Sequence, residues 1–475
     1  MSTHSAQDRE ASPSVAEPGL GRFADLEISE ALIRRFDNAG PRYTSYPTAD
    51  RFVPTFDEAM YRSHLAERAS ETTAAPLSVY AHLPFCESLC YFCACNKIIT
   101  RDHGRAAEYL EYLLREIAMV APELGGNRST AQLHLGGGSP TFFSMTELGH
   151  LVDALHRHFA FLPGAEMGIE IDPRTVTADT LSSLGSLGFN RTSFGVQDFD
   201  PAVQHAVNRI QPLGMVERAL AASRDAGFES INVDLIYGLP RQSVASFDRT
   251  LDEVVRLAPD RIALYNYAHL PNRFKAQRLI DASELPLAED RLRIFMRATH
   301  RLLDAGYVYI GLDHFAKPDD ELSRALEAGS LHRNFQGYTT KAECDLVGFG
   351  VSAIGKIGRS YCQSTRSVKT YYERLGEGKL PVERGLTLSA DDVLRREVVM
   401  TLMCSVPLEY RAIEARHGID FARYFEGELK ALAPLAEAEL VQLSDDRIRI
   451  LPKGRLFVRA VAMSPSGGTV DPEHL

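Results

Sequence analysis

Cys86, Cys90 and Cys93 stand at C-x-x-x-C-x-x-C spacing, and Cys95 follows two residues after the last of them. Four of the seven cysteines therefore fall in the stretch from Cys86 to Cys95. Closely spaced thiolates hold cubane iron–sulfur clusters. Three protein thiolates on a 4Fe-4S cubane leave one iron open, and an open iron can chelate a small molecule through an amine and a carboxylate. Zinc is the alternative occupant. It usually takes two well-separated Cys or His pairs, and no second C-x-x-C is present.

Other chemistry-bearing residues lie downstream. Gly136-Gly137-Gly138-Ser139-Pro140 either brings backbone N–H groups close to a ligand or forms a tight turn with none. Glu170 suits a hydrogen bond to a ribose or an ammonium group. Asp172, just before Pro173, suits a helix cap. Gln197, Arg209 and Asp234 are more often structural singly, and together can surround a second small molecule. The segment Leu331 to Tyr338 carries His332, Arg333, Phe335 and Tyr338. That mix fits a flat polyanion through stacking and charge, or a salt-bridged surface loop.

These residues need a frame that brings them together. From about residue 77, short apolar runs alternate with segments of helical period. The runs 78–83, 132–135, 167–171, 192–196, 231–236, 261–267 and 308–312 read as strands. Between them, 106–120 carries a stripe of Leu110, Leu113, Leu114 and Ile117, and 215–226 ends at a C-cap glycine, Gly227. Such alternation predicts a parallel sheet with right-handed crossovers. The polar residues follow the strands: the cysteines the first, the glycine run the second, Glu170 the third, Gln197 the fourth, Asp234 the fifth and Tyr265 to Ala268 the sixth. Barrels of β/α units build their sites at these strand ends, so a barrel, complete or partial, is expected.

After about residue 365 the pattern changes. Residues 391–404 and 421–440 read as helices and 440–451 as a hairpin, which together suggest a small winged-helix-like domain. Such a domain either reads nucleic acid or packs as a lid. The net charge of -11 favours the lid and argues against broad nucleic-acid binding. No run of about 18 apolar residues appears, so no membrane span is expected. The polar N-terminus lacks the apolar core of a signal peptide, which places the chain in the cytoplasm and makes its cysteines metal or redox groups.

Taken with Pro41-Arg42-Tyr43-Thr44-Ser45-Tyr46-Pro47-Thr48, Gly188-Phe189-Asn190-Arg191, Gly195-Val196-Gln197-Asp198-Phe199, Asp234-Leu235-Ile236-Tyr237-Gly238-Leu239-Pro240, Asn266-Tyr267-Ala268-His269-Leu270-Pro271 and His332-Arg333-Asn334-Phe335-Gln336-Gly337-Tyr338, these motifs resemble the oxygen-independent coproporphyrinogen III oxidases of haem biosynthesis. The resemblance runs from about Gly40 to Met463. These are radical S-adenosylmethionine enzymes. The resemblance implies a partial (β/α)6 barrel over 56–365, an N-terminal arm over 1–55 and a mostly helical, winged-helix-like C-terminal domain over 366–475. It implies that Cys86, Cys90 and Cys93 hold a 4Fe-4S cluster and that two S-adenosylmethionine molecules bind. Tyr80, Gly137, Glu170 and Ile354 would contact the cluster-bound molecule; Phe92, Gly138, Ser139, Gln197, Arg209, Asp234 and Ala268 would contact the second. Cys95 and Tyr80 are the expected catalytic residues. Cys95 would not ligate the cluster, because a fourth thiolate would block the open iron.

The implied reaction converts two propionates of coproporphyrinogen III to vinyl groups. An electron donor and an electron acceptor are the implied partners, and a monomer is expected. The four substrate carboxylates need local positive charge, for which Arg42, His332 and Arg333 are candidates. Haem-binding trafficking proteins share the barrel but usually lack the fourth cysteine and the His-Arg-Asn-Phe-Gln-Gly-Tyr loop; this chain has both. Its departure from the pattern is the tail after Met463, which reads as disordered instead of continuing as an apolar helix.

Overall fold

The computed structural model describes residues 29–36, 46–335, 337–341 and 344–465. Arg42 and most of its motif, and the tail beyond Pro465, lie outside the described residues.

Six parallel strands form the frame: β1 (Leu77–Leu83), β2 (Ser129–Gly137), β3 (Ala160–Ile171), β4 (Arg191–Gln197), β5 (Ser230–Tyr237) and β6 (Arg261–Asn266). They pair in sequence order. Helices on the outer face join them, and their apolar stripes explain the arrangement. In the helix Gly104–Val120, Tyr109, Leu110, Leu113, Ile117 and Val120 are all buried against the sheet. The next helix, Met145–His158, opens on a capping box between Ser144 and Glu147, which fixes where the chain leaves the glycine run and turns back.

The seventh expected strand keeps the common direction but does not pair with the sixth. β7 (Val308–Gly311) and β8 (His314–Ala316) form a tight antiparallel hairpin, and β8 inserts between β7 and β6. A hairpin needs only a short turn, whereas a parallel return would need another crossover. The chain then forms a short hairpin, β9 (His332–Asn334) with β10 (Gly337–Thr339). β11 (Asp345–Phe349) pairs parallel to β1 on its other side. β12 (Ile354–Ile357), β13 (Ser360–Ser364) and β14 (Val382–Thr387) extend that edge antiparallel. The sheet thus runs β14-β13-β12-β11-β1-β2-β3-β4-β5-β6-β8-β7. Among the described residues its edges β14 and β7 do not pair, so the barrel is partial and its wall is wider than six strands. The expected boundary at residue 365 falls inside this sheet, because β14 lies beyond it.

The C-terminal part has the expected winged-helix-like order. It contains helices Ala390–Met403, Tyr410–His417 and Glu426–Glu437 with a three-stranded sheet of Leu408–Glu409, Val441–Leu443 and Arg447–Ile450. Its core is continuous with the β7 edge of the barrel through Ile310 and Leu312, and with the N-terminal helix Glu30–Phe36 through Ile33 and Phe36. No helix of the described residues is long and apolar enough to cross a membrane.

Candidate active site

The cysteine loop leaves β1 at Pro84 and is closed at its base by a two-residue parallel pairing of Phe85–Cys86 with Ile98–Ile99. Three contacts pin its far side. The N–H of Tyr91 donates to the carbonyl of Val207 at 3.0 Å, and Asn208 Nδ2 donates to the carbonyl of Leu89 at 2.8 Å. The buried Gln277 amide donates to both Phe92 O and Ala268 O at 3.1 Å. Phe92 and Ala268 are therefore brought together by a residue that sequence reasoning missed.

Around Cys90 the charges are arranged for a thiolate. Arg209 Nη1 donates to Cys90 Sγ at 3.3 Å and Arg174 Nη2 at 3.5 Å. Both guanidinium groups also meet Asp172 Oδ2, at 3.1 and 2.6 Å. Burial works to raise the Asp172 pKa, but the Arg209 charge and the Arg174 contacts outweigh it and hold the carboxyl below the ordinary value. Asp172 also caps the turn after it by accepting from the Arg174 N–H. Arg209, expected to contact the second S-adenosylmethionine, pairs with Asp172 and donates to the carbonyl of Gly195 at 2.6 Å.

The Cys86 thiol is pushed up to about 12 by burial and by its neighbours Cys93 and Cys90. Cys93 is drawn down to about 6, first by its hydrogen bond with the Cys95 thiol. Metal ligation removes such protons outright. Among the described residues no three His, Cys, Asp or Glu side chains are gathered closely enough to hold a single metal ion. Three thiols on one loop, with guanidinium donors aimed at one sulfur, fit a thiolate-held cluster. Cys95 is exposed, and Lys97 Nζ bridges the carbonyls of Cys93 and Cys95 at 3.0 and 3.4 Å.

The glycine run differs from expectation in which atoms it offers. The N–H of Gly138 donates to Leu83 O and that of Ser139 to Phe85 O, both at 2.8 Å. The N–H of Gly137 donates to Glu170 Oε2 at 3.0 Å. These amides tie β2 to the cysteine loop and to Glu170. A Cβ on Gly138 would lie 2.7 Å from Phe85 O, and one on Gly137, where φ is +112°, would lie 2.6 Å from the His82 ring. Glycine is needed there for backbone and ring approach.

Glu170 sits where two cavities meet. One, of about 430 Å³, is bordered by Tyr80, His82, His134, Glu170 and Ile354; the other, of about 210 Å³, holds His134, Glu170, Ser193 and Asp234 in the barrel interior. Burial pushes the Glu170 pKa up, but His134, 3.4 Å away, and the Gly137 N–H hold it below the ordinary value. The Tyr80 hydroxyl meets His82 Nδ1 at 3.0 Å, and its ring stacks on His134. The Tyr80 pKa is raised by burial and by the Glu170 charge. His82 and His134 were missed, although the period of two along β1 and β2 puts them on the interior face with Tyr80 and Gln132.

Asp234 accepts from Asn232 Nδ2 at 2.9 Å and Ser193 Oγ at 3.2 Å. Burial and the Glu170 charge raise its pKa to about 6. Gln197 has φ +68° at the end of β4 and a buried Oε1 without a partner. A positive φ and an unpaired buried acceptor thus coincide at this residue. The basic, aromatic loop does not lie at the surface. Arg333 is buried, with its guanidinium 4.7 Å from the Tyr338 ring centre, and Tyr338 donates to Met403 O at 3.0 Å. The hairpin it belongs to crosses the barrel interior, where Gln132 Nε2 donates to Thr339 Oγ1 at 3.0 Å.

Comparison with known proteins agrees with this geometry. A model of the radical SAM superfamily matches residues 80–254, and one of the HemN C-terminal domain matches 388–457. The chain is 48% identical over 437 residues to the oxygen-independent coproporphyrinogen III oxidase of Pseudomonas aeruginosa and 46% identical over 433 residues to that of Salmonella typhimurium, covering 91% of this chain and 94% of each relative. The solved structure of the Escherichia coli coproporphyrinogen III oxidase (HemN), described as a radical SAM enzyme, superposes with a TM-score of 0.88 at 45% identity, over 93% of this chain and 99% of that one. With identity of this order along nearly its whole length and on the same fold, the chain belongs to the oxygen-independent coproporphyrinogen III oxidases, a family of radical S-adenosylmethionine enzymes.

Proposed function

We propose that this chain oxidatively decarboxylates two propionate side chains of coproporphyrinogen III to vinyl groups, giving protoporphyrinogen IX. Each propionate loses its carboxylate as carbon dioxide, a hydrogen atom to the abstracting carbon radical and one electron to an acceptor, so an electron acceptor and, for radical formation, an electron donor are required. A 4Fe-4S cluster on Cys86, Cys90 and Cys93 with S-adenosylmethionine supplies the one-electron chemistry that makes a hydrogen-abstracting carbon radical. The protein holds, orients and shields.

Arg174 and Arg209 stabilise the Cys90 thiolate and, through Asp172, fix it against the end of β3. Tyr80, Gly137, Glu170 and Ile354 serve one S-adenosylmethionine; Glu170 is held as a carboxylate by His134 and the Gly137 amide, ready for an ammonium or hydroxyl partner. Phe92, Gly138, Ser139, Gln197, Arg209, Asp234 and Ala268 serve a second molecule. Arg209 acts in that set by placing the β4 end, since its donors are already engaged. The unpaired Gln197 Oε1 supports the second site. Cys95 lies outside the ligand set and acts in turnover.

The observation that carries the proposal is the cysteine loop seated at the mouth of a barrel whose interior is lined by Glu170, His134 and Asp234. Anaerobic protein with reductant, S-adenosylmethionine and coproporphyrinogen III should yield vinyl-bearing product and carbon dioxide. Haem binding without carbon dioxide release would support the trafficking class instead.

A further inference from the structure

We propose that Arg273, Arg366 and Arg384 form a carboxylate-binding rim over the cavity that contains Tyr80 and Glu170, and that this rim receives propionate groups of the tetrapyrrole; the inference rests on the substrate reading above. The three arginines border one cavity of about 430 Å³ but come from separate parts of the chain. Arg273 lies in the loop after β6, Arg366 just after β13 and Arg384 on β14. Ile354, Gln363 and Arg384 are direct cross-strand neighbours on β12, β13 and β14. Their side chains therefore stand on one face of the sheet, the face that borders the cavity. Arg384 Nε donates to Gln363 Oε1 at 2.7 Å, which aims the guanidinium.

The charge distribution singles these residues out. The chain has 63 acidic against 52 basic residues; Arg191 and Arg261 are paired with Glu321 and Arg209 with Asp172, while Arg333 lies buried on the Tyr338 ring. Among the described residues, no guanidinium of Arg273, Arg366 or Arg384 has a carboxylate partner. Glu383 meets only the backbone N–H of Arg366, at 2.8 Å. Three unneutralised cations at the mouth of one cavity in an acidic protein form a local site for polyanions.

The wall beside them is apolar. Phe335 packs with Phe52, Ile354 and Tyr361, and Arg384 lies over the Phe52 ring at 5.8 Å. A flat pyrrole with a carboxylate arm matches that pairing of ring surface and guanidinium. The rim is also tied to the cluster loop: Asn96 Nδ2 donates to the carbonyl of Arg366 at 3.1 Å. A propionate seated here is held at a fixed position relative to Cys93 and Cys95. The same carboxylate chemistry has a second source, the methionine carboxylate of S-adenosylmethionine, and the test separates the two.

Cluster-loaded protein is titrated anaerobically with coproporphyrin III, the oxidised fluorescent form carrying the same four carboxylates, and separately with S-adenosylmethionine. Replacing the two exposed arginines together, Arg273→Gln with Arg366→Gln, should weaken coproporphyrin III binding about tenfold. It should raise the KM for coproporphyrinogen III by a similar factor with little change in kcat, and leave iron content and S-adenosylmethionine affinity at wild-type values. Arg384→Gln should do the same and Arg384→Lys should restore part of the loss. Unchanged coproporphyrin III affinity in the double variant would overturn the rim. So would lost S-adenosylmethionine affinity with porphyrin binding intact, which would assign the arginines to the cofactor. Wild-type protein that makes no vinyl product would refute the substrate reading itself; vinyl formation by wild type with unaltered variants would refute the rim alone.

Discussion

Cys90 is the most heavily supported of the cysteines, and its environment makes a quantitative demand. Two guanidinium groups donate to its sulfur, and hydrogen bonds to cluster sulfurs stabilise the more negative, reduced state. Arg174 touches only Cys90 and Asp172 among the groups discussed, so Arg174→Met removes one such donor while Arg209 remains. The midpoint potential of the cluster should fall by ~50 mV, equivalent to about 1 kcal/mol for a one-electron couple, measured by redox titration with EPR. An unchanged potential would make Arg174 a purely structural partner of Asp172. Cys95 makes a contrasting demand. It is exposed and hydrogen-bonds Cys93, and the proposed ligand set leaves it out. Cys95→Ala should keep full iron content and lose turnover; loss of the cluster to the degree seen in Cys93→Ala would make it a ligand. Cys86, Cys90 and Cys93 stand out in the sequence because a local motif carries them. Arg174 and Gln277 do not, since each acts by reaching across to a loop that only folding brings near.

The elements that hold these residues make their own predictions. The glycine run is a backbone-to-backbone seam between β2 and the cysteine loop. Gly138→Ala places a Cβ 2.7 Å from Phe85 O and Pro84 C, and neither backbone atom can rotate away. It should destabilise the fold by about 3 kcal/mol and lower iron retention, read by thermal unfolding and iron analysis. The helix Gly104–Val120 carries a second seam. Glu116 is buried, accepts from Tyr371 Oη at 2.6 Å and from the Gly350 N–H at 2.8 Å, and so pins the turn leading to Ile354. Burial raises its pKa to about 7, against the two hydrogen bonds that lower it. The folded state therefore binds this proton more tightly than the unfolded state. This contribution to stability is fully present below about pH 4.5 and is lost as pH rises through about 7. Glu116→Gln should flatten that dependence, gaining up to about 3 kcal/mol over wild type at pH 8 relative to pH 4; parallel pH–stability curves would contradict it.

Much of this level was readable. The six parallel strands show themselves as apolar runs with polar ends. β11 was missed because Leu346, Val347 and Phe349 gain their place only by pairing with β1, far away in sequence. The insertion of β8 between β6 and β7 was hidden because a two-residue turn, not a periodicity, sets it.

Considered whole, the molecule is a partial barrel closed over its interior by a hairpin, an N-terminal helix and a C-terminal cap. The cap shares a core with the barrel edge and the helix Glu30–Phe36. Ending the chain after Thr387 should therefore expose Val398-facing apolar surface on β7 and the N-terminal helix and cause aggregation, read by light scattering; a monodisperse truncated protein would show the cap to be independent. The basic loop was expected either to meet a flat polyanion or to be a salt-bridged surface loop; Arg333 is buried on Tyr338, which rules out the second. Composition identifies what a loop can bind, not which way the chain folds it, and the stacking of a guanidinium on an aromatic ring competes directly with solvent exposure. The proposed pair of cofactor sites makes a prediction of stoichiometry. Asp234 borders the cavity in the barrel interior, Tyr80 and Ile354 border the other, and Glu170 borders both. Wild type should bind two S-adenosylmethionine molecules per chain and Asp234→Ala one, with its cluster intact. One equivalent bound by wild type at saturation would leave Asp234 structural.

All of these rest on one reaction. The most direct measurement is an anaerobic turnover assay of the iron-loaded protein with S-adenosylmethionine, a reductant, an electron acceptor and coproporphyrinogen III carboxyl-labelled on its propionates. The account predicts two labelled carbon dioxide molecules and two vinyl groups per tetrapyrrole, dependent on S-adenosylmethionine and abolished by Cys93→Ala. Intact coproporphyrinogen III recovered from protein with a full, reducible cluster and bound S-adenosylmethionine would contradict it.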